Sequence, residues 1–125
     1  MHLPLRKVIL IIGLCSSSLL VLSQRQFDPK KRIEREKEQV QANITDLTED
    51  QKIVLNQIYE DYSKEFIDIR SKSNGDFQIM RSNIQVIREK KDSMVKDLLT
   101  ATQYSTYDSL MKVRQKRRQR PGPNK

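Results

Sequence analysis

Residues 46–59 read DLTEDQKIVLNQIY, and residues 97–111 read DLLTATQYSTYDSLM. Both contain Leu-Thr-x-x-Gln: Leu47, Thr48 and Gln51 in the first, Leu99, Thr100 and Gln103 in the second. Thr-x-x-Gln is the pattern of a capping box. The threonine hydroxyl accepts from the backbone N–H three residues on, and the glutamine side chain accepts from the threonine's own N–H. Each copy therefore predicts the start of a helix. Leu99 stands where a hydrophobic staple would pack on Tyr104; the matching position after Leu47 is Lys52, so Leu47 is expected to lean on Ile53 or on a neighbouring helix. Glu49 and Asp50 favour the positive end of the first of these helices.

Working outward, apolar residues keep helical spacing through most of the chain. Ile33, Lys37, Val40 and Ile44 suggest a short first helix, and Leu55, Ile58, Tyr62, Phe66 and Ile69 line one face of a longer second one. Phe77, Met80, Ile84, Ile87, Lys91, Met94 and Leu98 form a heptad seam with one charged interruption. Tyr104, Tyr107, Leu110, Met111 and Val113 belong to a fourth helix. Asn74-Gly75 supplies two residues that tolerate a left-handed backbone, so the chain is expected to double back there. No long strand-like alternation is present. The expectation is an all-α, elongated domain of four helices arranged as hairpins.

The first 23 residues have the three parts of an export signal: Arg6 and Lys7, an apolar run from Val8, and small residues ending at Ser23. Cleavage is expected after Ser23. Leu14 stands where a small residue would precede a lipid-modified Cys15, which argues against a lipoprotein. The organisation read from the sequence is thus a signal peptide over 1–23, a helical domain over 24–120 and a disordered basic tail over 121–125. Cleavage would leave neither Cys nor His. That removes disulfide staples and the ligands zinc most often uses. Carboxylate pairs such as Glu60/Asp61 and Asp92/Asp97 read as solvated helix faces, and Met80, Met94 and Met111 as apolar filler. No metal or other cofactor is expected.

Charge is segregated: the net value is +3 over 24–37, −4 over 38–111 and +7 over 112–125. Such ends suit acidic partners, but an exported chain meets little nucleic acid, so none is expected as a partner. Nothing in the sequence has the form of a phosphate-cradling glycine loop or a nucleophile beside an imidazole, so an enzyme is not expected.

With 12 Leu, 5 Thr and 11 Gln in the chain, chance alone supplies about 0.04 copies of the Leu-Thr-x-x-Gln pattern. Two copies, one before each of two helices in an exported helical chain, resemble the Spy/CpxP family of periplasmic proteins. The resemblance covers roughly 31–120 and is specific only at the motif positions. It implies an antiparallel, cradle-shaped homodimer and an ATP-independent chaperone, a holdase for unfolded or misfolding envelope proteins in the periplasm. Leu47, Thr48, Gln51, Leu99, Thr100 and Gln103 carry over as structural positions. Some members of that family restrain an envelope-stress sensor kinase, so a regulatory protein docking on the kinase's periplasmic domain is the alternative. Arg32, Arg35, Phe66, Arg70, Arg81, Ile84 and Arg88 mix charge with apolar bulk and are the expected client-binding residues.

Overall fold

A computed structural model describes residues 27–122. The signal-peptide reading of 1–23 and the last three residues of the expected tail fall outside that range. The described residues form four helices and no strands: α1 (Pro29–Asn43), α2 (Glu49–Lys72), α3 (Phe77–Leu98) and α4 (Ala101–Gln119).

Every helix begins at a short polar side chain that satisfies otherwise unpaired amides. Asp28 accepts from the amides of Lys30 and Lys31, with Pro29 at the first helical position, where its missing N–H costs nothing. Asp76 accepts from the amide of Ile79 at 3.1 Å. Thr48 and Thr100 each cap with a complete capping box. Between α2 and α3 the reversal uses Asn74 at φ 46° and Gly75 at φ 85°, the left-handed conformations that glycine and asparagine tolerate.

Successive helices run antiparallel, as the side-chain pairs between them show. Gln41 donates to Asn56 across α1 and α2, and Lys90 of α3 pairs with Glu65 of α2 at 2.7 Å. Arg114 of α4 donates to Gln39 of α1. At 1.5 Å per residue the 24-residue α2 is about 36 Å long. The core is correspondingly thin and runs along the helices. Val40, Leu55, Tyr59, Val95 and Tyr107 are its fully buried members; Ile33, Ile44, Leu47, Ile58, Tyr62, Ile87 and Leu99 complete it.

Several sequence expectations need correction. In α3 the buried line runs Ile87, Lys91, Val95, whereas Phe77 is 68% and Met94 42% exposed. On a 3.6-residue helix each step of four advances about 40° beyond a full turn, so the buried line winds round α3 from Ile87 to Val95, away from the side that carries Met94. In α1 the buried residue beside Ile33 and Val40 is Glu36 rather than Lys37, and Ile44 lies just past the helix end as its C-cap. Val113 is exposed. Leu47 takes the second of its two expected environments, packing into the core shared with neighbouring helices, while Ile53 is 66% exposed.

Candidate functional site

The two repeated motifs meet in space. Within each, the threonine and glutamine exchange hydrogen bonds: the Gln51 amide donates to Thr48 Oγ1 at 3.1 Å and the Thr48 amide to Gln51 Oε1 at 3.0 Å. The Gln103–Thr100 pair does the same at 3.3 and 3.0 Å. Each glutamine then reaches the other copy. Gln51 Nε2 donates to Gln103 Oε1 at 2.8 Å, and Gln103 Nε2 to Gln51 Oε1 at 3.3 Å. Their amide nitrogens also donate to Leu98 O and Asp46 O, the carbonyls two residues before each threonine. The arrangement is a local two-fold clasp in which each glutamine caps its own helix and ties it to the other. Gln103 is buried to 4% exposure, where its amide would be costly without these partners. Leu47 and Leu99 flank the clasp within the core.

Farther along, a buried polar knot joins all four helices. Glu36 of α1 accepts from Lys91 of α3 and from Tyr59 of α2, and Arg114 of α4 lies 3.4 Å from its other oxygen. Tyr107 of α4 donates to Asp92 of α3. The Lys91 ammonium sits 4.9–5.9 Å from the ring centres of Tyr62, Tyr59 and Tyr107, within reach of cation–π attraction. Burial pushes the Glu36 carboxyl up, but the Lys91 charge and hydrogen bond, then Arg114 and Tyr59, outweigh it and hold its pKa below the ordinary value. Burial, followed by the Glu36 charge, pushes the Tyr59 phenol up, and burial does the same to Tyr107.

Beyond the knot, at the end away from the clasp, the helices diverge around an open cleft of about 640 Å³. Ile33, Tyr62, Phe66 and Ile84 give it an apolar floor; Arg32, Arg81, Arg88 and Arg118 surround it. Phe66 stands edge-on to Tyr62, with ring centres 6.1 Å apart, and so packs on the core and lines the cleft at once. Arg88 donates to Gln85 at 3.2 Å. Partial desolvation, then the neighbouring Arg32 and Arg88 guanidiniums, lower the Arg118 pKa, as expected for a cation crowded among cations.

Of the seven residues expected to bind clients, Arg32, Phe66, Arg81, Ile84 and Arg88 line this cleft. Arg35 and Arg70 do not; Arg70 instead lies over the Phe27 ring at 5.0 Å. Sequence reasoning missed Arg118 and Glu36. Nothing local in the C-terminal basic run singles out Arg118, whereas Glu36 shares the i, i+3 and i, i+4 spacing of Ile33 and Val40 and was readable as a charge on the apolar face.

Among the described residues there is no cluster of three or more His, Cys, Asp or Glu side chains suited to a metal ion, and no helix is long and apolar enough to cross a membrane. No protein family, curated protein or solved structure matches the chain.

Proposed function

We propose that the protein is a non-enzymatic, ATP-independent holdase of the exported compartment, working as a dimer without a cofactor and gripping partly unfolded polypeptides. The observation that carries the reading is the cleft: Phe66 and Ile84, half-buried, stand beside guanidiniums that have no carboxylate partner among the described residues. Such a lining attracts chains over distance through charge and holds exposed apolar side chains through modest burial. Modest burial also permits release without a driven conformational step. The repeated motifs, and the periplasmic family they resemble, support the same conclusion.

The test is aggregation suppression. Purified protein at near-stoichiometric amounts should suppress light scattering from several unrelated unfolding proteins, and Phe66→Ala with Ile84→Ala should weaken that suppression while helical circular dichroism persists. A chain that protects none of them yet captures one membrane sensor domain would replace this reading with the regulatory one.

A further inference from the structure

Carboxylate pairing is uneven among the described residues, and cations without such a partner occur both at the cleft and elsewhere, as at Arg35, Arg70 and Lys96. Lys52, Lys64, Lys72, Lys90 and Lys112 each sit 2.6–3.1 Å from a carboxylate. Arg32, Arg81, Arg88 and Arg118 have no carboxylate partner among the described residues, yet they gather at one cleft. The single carboxylate there, Glu36, is already committed to Lys91, Tyr59 and Arg114. Four like charges around an unfilled apolar space repel one another and leave Phe66 and Ile84 wet. A ligand that relieves both must carry negative charge at one end and apolar surface at the other.

We infer that the cleft is a binding site for an anionic amphiphile, a small molecule with one carboxylate or phosphate head and a single acyl tail. The head fits among Arg32, Arg88 and Arg118, whose planar forks match carboxylate and phosphate oxygens two at a time. The tail lies on Ile33, Phe66 and Ile84. A volume of about 640 Å³ falls within the range of small-molecule pockets. This inference does not rest on the holdase reading, although such a ligand would compete for the same apolar floor.

Titration calorimetry on the full chain at low ionic strength tests it, with every probe kept below its micelle concentration. The probes are dodecyl phosphate, laurate, inorganic phosphate and the neutral dodecyl maltoside. At least one of the two charged amphiphiles should bind one per chain, roughly tenfold or more tighter than either head alone or neutral tail; which of them binds tighter identifies the head. Arg88→Gln with Arg118→Gln should weaken that binding at least about tenfold, while Lys52→Gln with Lys96→Gln, at the clasp end, changes it far less. Equal binding of the maltoside, unaltered affinity in a folded Arg88/Arg118 variant, or no uptake of either charged amphiphile would overturn the site. A chain that takes up neither but still suppresses aggregation keeps its proposed function and loses this ligand.

Discussion

At the scale of single residues, Gln51 and Gln103 each perform two tasks, and the two tasks predict different signatures. Removing a capping hydroxyl by Thr48→Ala or Thr100→Ala should cost about 1 kcal/mol in urea unfolding. Gln103→Ala removes the cap return and also takes a donor from Asp46 O and the acceptor from Gln51 Nε2 at a part-buried site, so about 2 kcal/mol is expected. Because the two amides bond each other, the Gln51→Ala/Gln103→Ala double variant should lose less than the two single losses together, a non-additivity that a mutant cycle reads directly. The Glu36–Lys91 pair is the other residue-scale commitment. Both side chains are almost fully buried, at 5% and 3% exposure, so Lys91→Met alone should cost about 3–5 kcal/mol by stranding a carboxylate, and Glu36→Leu added to it should recover much of that loss. The carboxyl's folded-state pKa lies below its ordinary 4.5. Its stabilisation is therefore complete above about pH 4.5 and is lost as pH falls through the lower folded value. The raised Tyr59 and Tyr107 phenols act at the opposite limit: the unfolded chain ionises first, so stability declines above about pH 10. Denaturation midpoints across the pH range should trace both edges, and Lys91→Met should change the acid one.

At the scale of elements, the reversal between α2 and α3 is set by backbone conformation alone. A Cβ added at Gly75 would meet nothing within 4 Å, yet its φ is +85°. Gly75→Ala should therefore cost about 1 kcal/mol from the dihedral alone and leave the hairpin packing intact, as thermal unfolding would show. Helix starts were readable in the sequence because capping is decided within four residues. Thr48 and Thr100 declare themselves by the residue three places on, and Asp28-Pro29 would have declared α1 by the same logic. Register in α3 was less readable. Lys91 interrupts the apolar pattern, and a pattern broken there continues equally well at Met94 or Val95; which of the two is buried is set by packing against helices distant in sequence. α4 has the weakest apolar stripe of the four and is fixed largely by polar bonds: the clasp, Tyr107 on Asp92, and Arg114 on Gln39. Those partners lie between 15 and 75 residues away in the chain, which is why neither the clasp nor the place of Arg118 beside Arg32 followed from local spacing.

At the scale of the whole molecule, charge is concentrated where packing is loosest. Several lysines are paired along the outer helix faces, while four arginines with no carboxylate partner among the described residues crowd the cleft, so under the proposed function capture of unfolding chains should slow as ionic strength rises, with apolar retention less affected. Stopped-flow association at two salt concentrations separates these contributions: a falling on-rate with a nearly constant off-rate is expected. The cleft's apolar and cationic residues were mostly legible as a composition, since Arg32, Phe66, Arg81, Ile84 and Arg88 stand at helical spacings, but their convergence is a tertiary fact. The clasp has one more consequence. It ties the helices at one end, the Glu36–Lys91–Tyr59–Arg114 knot holds them midway, and α4 travels about 25 Å from Ala101 before Arg118 reaches the cleft. A helix end beyond the last such tie opens most easily, so deuterium should enter amides near Arg118 quickly and those beside Gln51 and Gln103 slowly.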